Sequence, residues 1–342
     1  MPFLGEWPPY PSHKVPERGK TKLEKTLFAL WRRRIKEGHW LLVSILLPMI
    51  EHIPVMTKEV IKFLAPQPGQ NFIDATCGLG GHSREILKKT APRGKLLAID
   101  QDSITLGQAK NNLAEFGQRV TFVGANFNQL GLLIREWEVE KIDGILFDLG
   151  VSTYQLTSPE RGFSFNLDAI LDMRMSPESQ KISAKDIVNN WDEKSLRRIL
   201  RNFGEEPFAS KIARAIVRAR IGQRIEKTNQ LVETVKQALP PSYRASRQRH
   251  FATSTFRALR MAVNDELEVL KSGLKQALPI LSPGGRMVII SFHSLEDRIV
   301  KNFFRENTEL KVLTPKPVIA SALEVEKNAK ARSGKLRAAI KI

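Results

Sequence analysis

The residues Phe72-Ile73-Asp74-Ala75-Thr76-Cys77-Gly78-Leu79-Gly80-Gly81-His82-Ser83 combine types that could do chemistry with a spacing that would position them. A short apolar strand ends in an acid, a glycine-rich loop follows, and a helix starts at once. Glycines let the backbone approach a ligand closely, and the first turn of a helix offers unpaired N–H donors. A dinucleotide loop of the form G-x-G-x-x-G begun at Gly78 requires glycine at position 83, where Ser83 stands. That disfavours a nicotinamide cofactor. The alternative form, acid-x-x-x-Gly-x-Gly, is the pattern of S-adenosylmethionine (SAM) sites.

Asp100 closes a second apolar strand, Leu96-Leu97-Ala98-Ile99. An acid at the carboxyl end of a second parallel strand can accept hydrogen bonds from both hydroxyls of a ribose. It could instead cap the helix that follows, although Asp102 and Ser103 are equally available for that role. A further strand ends in Asp148, within Asp143-Gly144-Ile145-Leu146-Phe147-Asp148-Leu149-Gly150-Val151-Ser152. Methyltransferases acting on amino groups often carry Asn/Asp-Pro-Pro-aromatic there, so Asp-Leu-Gly-Val has the position without the usual signature. Enzymes that methylate a pyrimidine carbon generally use a thiolate nucleophile. The one cysteine, Cys77, sits inside the glycine loop. Direct transfer to nitrogen or oxygen therefore fits better than chemistry through carbon.

These residues need a scaffold, and the chain supplies one from His52 onward. Strand candidates at 71–74, 95–100, 120–124, 142–148 and 286–293 alternate with helical stretches around 82–90, 103–117 and 128–138, the signature of a parallel α/β sheet. The alternation stops for about a hundred residues after Asp148. It resumes with one long helix from about Thr255, carrying Leu259, Val263, Leu267, Leu270, Leu274 and Leu278 at helical spacing. In the intervening region Phe208, Ile212, Ile216 and Ala219 form an apolar stripe, with Lys211, Arg214 and Arg218 on another face.

Of 342 residues, 54 are Lys or Arg and 36 Asp or Glu, for a net charge of +18. Residues 194–260 alone contain 16 basic and four acidic residues, whereas 51–193 are net acidic. A basic insertion in a near-neutral core suggests a polyanion-binding platform, with Lys211, Arg214, Arg218, Arg247 and Arg249 as phosphate contacts; a solvated helix face is the bland reading. With 42% hydrophobic residues and one cysteine, both wholesale disorder and a disulfide framework are excluded. The longest apolar run, Trp40–Ile50, has 11 residues, short of the ~20 that span a bilayer. It follows Arg32-Arg33-Arg34 but begins too late, and lacks the cleavage pattern, for a signal peptide. Residues 1–50 are expected to be an extension outside the fold, with a targeting or docking element as the other reading.

The combination of blocks resembles the RsmH (MraW) family of bacterial 16S rRNA cytosine-N4 methyltransferases. The resemblance is carried by His52-Ile53-Pro54-Val55, Gly78 to Ser83, Ala98-Ile99-Asp100, Asp143 to Ser152 and Glu160-Arg161-Gly162-Phe163-Ser164-Phe165. Leu171-Asp172-Met173-Arg174-Met175, Phe203-Gly204-Glu205-Glu206, Lys211 to Ile216 and Ser291 to Lys301 extend it almost to the C-terminus. The family loop usually has Phe or Leu in place of Cys77, and residues 1–50 have no counterpart.

The resemblance implies an α/β, Rossmann-like SAM-dependent methyltransferase fold with an inserted helical substrate-binding domain. Residues 51–156 and 255–342 would form the catalytic part and 157–254 the insertion. It implies SAM contacts at Gly80, Gly81, His82, Asp100, Phe127, Asp148 and Gln155, and no metal. Asp148 is the leading candidate to touch both cofactor and target, with His293 a second polar group on the same sheet edge or, alternatively, a helix cap over Glu296. Phe163 and Phe165 could stack on a base or anchor the core. The implied partner is small-subunit rRNA or the small ribosomal subunit, with no membrane and a homodimer possible. The implied location is the bacterial cytoplasm, or an organellar stroma or matrix as the alternative. A methyltransferase for small molecules or protein, and a non-catalytic RNA-binding factor, are the competing classes.

Overall fold

The computed structural model describes residues 53–246 and 250–342. The expectations for residues 1–50, Arg247 and Arg249 thus lie outside the described residues. The described chain opens with helix α1 (Thr57–Leu64), which the sequence pattern did not single out. Next come β1 (Phe72–Asp74), α2 (Gly81–Lys89), β2 (Leu96–Asp100), α3 (Ser103–Asn112), β3 (Val120–Gly124) and β4 (Gly144–Asp148). Short helical turns over 127–136 replace the single helix expected there.

The sheet order is β3-β2-β1-β4 and then β5 (Arg286–Ser291), with all five strands parallel. The strand order reverses at β1, so the crevice beyond the carboxyl ends of β1, β2 and β4 is where a ligand is expected. Three further strands, β6 (Leu310–Val312), β7 (Val318–Ile319) and β8 (Lys335–Lys341), complete an eight-stranded sheet, with β8 antiparallel to β5. The sequence pattern placed this region in the catalytic part without singling out these strands. Leu336, Ala338 and Ala339 of β8 are all buried, so no in–out alternation marks it, and the charge of Arg337 is met by Asp297 at 2.6 Å. Apolar side chains pack on both faces of the sheet, Ile73, Leu97, Ile145 and Phe147 on one and Phe72, Leu96, Ala98 and Leu146 on the other.

After β4, the short α4 (Thr153–Thr157) leads into a helical region with its own core. That core runs from Phe163 to Leu259 and includes Leu196, Ile212, Ile216, Leu231 and Phe256. Its helices are α5 (Ala184–Asn190), α6 (Glu193–Asn202), α7 (Ala209–Gly222), α8 (Thr228–Ala238) and α9 (Pro241–Ser246). In α7, Ile212 and Ile216 are buried as expected, but Ala219 is exposed and Phe208 precedes the helix at its N-cap.

The long helix expected from Thr255 is two helices, α10 (Thr253–Asn264) and α11 (Glu266–Ile280). They break at Asp265, which adopts a left-handed conformation (φ 47). Side-chain bonds hold the break. Asn264 donates to the Met173 carbonyl and accepts from the Met175 N–H, both at 2.8 Å, while Arg260 clamps Glu266 through two bonds of 2.7 Å. Among the described residues, no helix is long and apolar enough to cross a membrane.

Candidate active site

The carboxyl ends of β1, β2 and β4 open into a cavity of about 300 Å³. Gly80 starts the glycine-loop side by taking φ 85 as the N-cap of α2, a conformation that disfavours any side chain. It does not itself line the cavity, whereas its neighbours Gly78, Leu79, Gly81 and His82 do. Behind the loop, Asp74 is fully buried, accepts from the Ser83 hydroxyl at 2.7 Å, and is raised in pKa chiefly by burial. Cys77 is also buried, and desolvation pushes its thiol well up, which suits packing rather than nucleophilic attack.

Asp100 ends β2 with its side chain toward the cavity. Its carboxylate accepts from the Gly78 N–H at 2.8 Å and the Asp102 N–H at 2.9 Å. Burial nevertheless raises its pKa from 3.8 to about 6, since two N–H groups only partly offset the loss of water. The capping role weighed for Asp100 falls to Asp102, which accepts from Ile104 and Thr105 at the start of α3. Asp102 also accepts from Gln155 Nε2 at 2.9 Å and pairs with Arg161 at 2.8 Å. Gln155 thus lines the cavity from a position fixed by a buried acid.

Phe127 lies just beyond β3, edge-on to Phe147 with centroids 5.4 Å apart. Gly273 of α11 leaves room for it, because a Cβ there would fall 2.5 Å from the Phe127 ring. Phe127, Ala125 and Leu149 give this part of the cavity an apolar wall.

At the end of β4 the Asp148 N–H donates to Thr76 Oγ1 at 2.6 Å, which fixes the backbone. Its Oδ2 is 3.5 Å from His82 Nε2, too far for a well-formed hydrogen bond. Neither ring nitrogen of His82 nor Asp148 Oδ1 has a protein partner, although all three are buried. Native interiors rarely leave such atoms unpaired, so three in one cavity wall point to a polar ligand there.

SAM matches this wall on chemical grounds. The Asp100 carboxylate has acceptor capacity left for ribose hydroxyls, the Phe127 face suits an adenine, and the acidic side around Asp148 suits an amino group and a sulfonium. The expected set Gly81, His82, Asp100, Phe127, Asp148 and Gln155 is therefore brought together, with Gly80 as a support behind it. Sequence reasoning missed Asn126, Met175, Arg260 and Lys330, which also line the cavity. Met175, Arg260 and Lys330 come from distant parts of the chain, and their local sequence carries no signal of that placement.

His293 does not line the cavity. It caps helix α12 (Ser294–Glu306), accepting from the Glu296 N–H while Glu296 accepts from the backbone of Phe292 and His293. The capping alternative thus describes its geometry. Burial alone would raise the Glu296 pKa, but the bond to His293 and the charge of Arg260 hold it below the ordinary value. Glu266, His293 and Glu296 present potential ligand atoms within 4.8 Å of one another, yet the Arg260 guanidinium already engages both oxygens of Glu266.

Phe163 is buried in the helical core, and Phe165 packs against it, stacked on His250 at 4.5 Å and edge-on to Phe256. Both act as core anchors. Lys211, Arg214 and Arg218 are exposed on α7, with Arg214 3.7 Å from Glu193 in a solvated pair.

In comparisons with known proteins, residues 49–342 match the model of the MraW methylase family. The "Ribosomal RNA small subunit methyltransferase H" of Heliobacterium modesticaldum is 45% identical over 315 residues, covering 86% of this chain and 99% of that one. The protein of the same name from Trichormus variabilis is 49% identical over 290 residues, covering 85% of this chain and 92% of that one. Among solved structures, a putative rRNA-methylase from Clostridium thermocellum aligns with a TM-score of 0.42 at 11% identity, over 85% of this chain and 100% of that one.

Proposed function

The chain belongs to the MraW methylase family, and from that premise we propose that it methylates small-subunit rRNA with SAM as donor, at the exocyclic N4 of a cytidine in the decoding region. The observation that carries this reading is the juxtaposition of Asp100, Phe127, His82 and Asp148 around one cavity at the sheet's carboxyl edge. That wall has a place for a nucleoside and, beside it, unpaired polar atoms for an amine.

SAM supplies an electrophilic methyl group on a positively charged sulfur. The remaining work falls to the chain's own residues. Asp100 holds a ribose and Phe127 an adenine. Thr76 fixes the Asp148 backbone at the end of β4. A cytosine amino nitrogen is a poor nucleophile because its lone pair is delocalised into the ring. Asp148 Oδ1, buried and without a partner, accepts a hydrogen bond from that amine, favours a tetrahedral nitrogen and takes up the released proton. The base must leave its stack to reach the cavity. Residues 157–254, with Lys211, Arg214 and Arg218 exposed on α7, serve as the RNA platform.

The decisive experiment maps N4-methylcytidine in small-subunit rRNA from cells with and without this protein. Loss of one such nucleotide, restored by the purified protein and SAM, is the expected result. An unchanged modification map would overturn the reading.

A further inference from the structure

The segment after helix α13 (Ala322–Lys327) folds back over the chain that precedes α1. Asn328 donates to the Ile53 carbonyl at 2.9 Å, and Glu324 accepts from the Met56 N–H. This docking places Lys330 in the cavity wall, where its ammonium donates to the Thr153 hydroxyl at the start of α4. Among the described residues it has no carboxylate within ion-pair distance, although it feels the charge of Asp148.

A cation here needs a reason. Four acids, Asp100, Asp148, Glu266 and Glu296, line the same cavity, which suits a cationic sulfonium. The other cation in that wall, Arg260, is committed to Glu266 through two bonds. Lys330 is itself exposed at the cavity rim, where partial shielding from water lowers its pKa and Asp148 pulls the other way, so its ammonium is open to a ligand. The flanking Lys327 and Arg332 are exposed and extend positive charge along the same short segment. A nucleotide drawn out of its stack carries its phosphates at the rim of the pocket that takes its base.

We propose that Lys330 binds a backbone phosphate of the RNA at or next to the target nucleotide, making the C-terminal segment a second RNA contact besides the helical insertion. This rests on the RNA-methylating function proposed above. Lys330 thereby positions the nucleotide from the side of the sheet that carries α1, and Thr153 holds the ammonium until the phosphate arrives.

The test compares the full-length protein with its Lys330→Ala and Lys330→Arg variants. RNA affinity is measured on a small-subunit rRNA fragment at three or more salt concentrations, SAM affinity by calorimetry, and methyl transfer separately. Lys330→Ala should weaken RNA binding about tenfold and flatten the log-affinity against log-salt slope by ~0.7–0.9, with SAM affinity unchanged. Lys330→Arg should restore most of both. Equal RNA affinity and slope in all three proteins would overturn the proposal. So would a loss of SAM affinity matching the loss of RNA affinity, which would assign Lys330 to the cofactor's carboxylate. Intact RNA binding with a lower kcat and a displaced pH profile would overturn it too, in favour of a role in proton transfer. Wild-type protein that binds rRNA without methylating it would defeat the function reading while leaving the binding comparison valid.

Discussion

Arg161 Nη1 lies 2.8 Å from Asp102 Oδ2, with only 6% and 2% of the two side chains exposed. The pair joins the N-cap of α3, two residues after Asp100, to the entrance of the helical insertion. Arg161 also donates to the carbonyls of Arg174 and Met175, and Asp102 orients Gln155. Cavity wall and insertion therefore share one buried charge network.

Breaking that network from one side should be costly. Arg161→Ala leaves the Asp102 carboxylate buried without its cation, and should lower unfolding stability by about 3–5 kcal/mol. The double variant Arg161→Met with Asp102→Asn should recover part of the loss. Chemical denaturation of the three proteins checks this, and a single variant as stable as wild type would dissociate the pair from the fold.

Asp100 predicts how SAM binding depends on pH. Its raised pKa means that its contribution to the ligand-free fold is fully present below 3.8 and is lost as pH rises through about 6. Ribose hydroxyls favour the ionised form, so SAM affinity should fall as pH drops below about 6, approaching one log unit per pH unit. Asp100→Asn should flatten this profile, and Asp100→Ala should weaken SAM binding roughly tenfold or more at neutral pH. Calorimetry across that range is the measurement.

Asp148→Asn keeps the shape of the side chain but removes its negative charge and proton-accepting power. It should reduce the single-turnover rate of methyl transfer by about 10²–10⁴, with SAM affinity changed only a few-fold. A variant that transfers methyl at the wild-type rate would exclude Asp148 as the proton acceptor.

The helical insertion can be tested independently of the cavity. Replacing Arg214, Arg218, Arg247 and Arg249 with alanine should weaken RNA binding and reduce the log-salt slope by ~0.7–0.9 for each phosphate deprived of its arginine. SAM affinity should be unaffected, because α7 lies in the helical core rather than the cavity wall. Parallel salt dependences with equal affinity would leave these arginines as a solvated face.

Much of this architecture is local and could be read directly. An apolar run that ends in an acid and a glycine loop makes a buried strand, a turn and a helix start whatever lies around it, so β1, β2, β4 and the positions of Asp74, Asp100 and Asp148 follow from short segments. The basic insertion shows in charge alone. Other features depend on packing and bonding that the local pattern does not reveal. The helix break at Asp265 is held by Asn264 reaching back to Met173 and Met175, so leucines at uninterrupted helical spacing gave one helix where there are two. Strand β8 is buried on both faces, which erases the period-two pattern that reveals a strand. His293 could be a site residue or a cap from its sequence, and the capping box with Glu296 turns it away from the cavity. Lys330 reaches the active-site wall only because Asn328 and Glu324 dock its segment onto residues some 270 positions earlier in the chain. Residue type and short-range spacing therefore determined which chemistry the chain could support, while side-chain bonds spanning the whole sequence decided which of the eligible groups share one cavity.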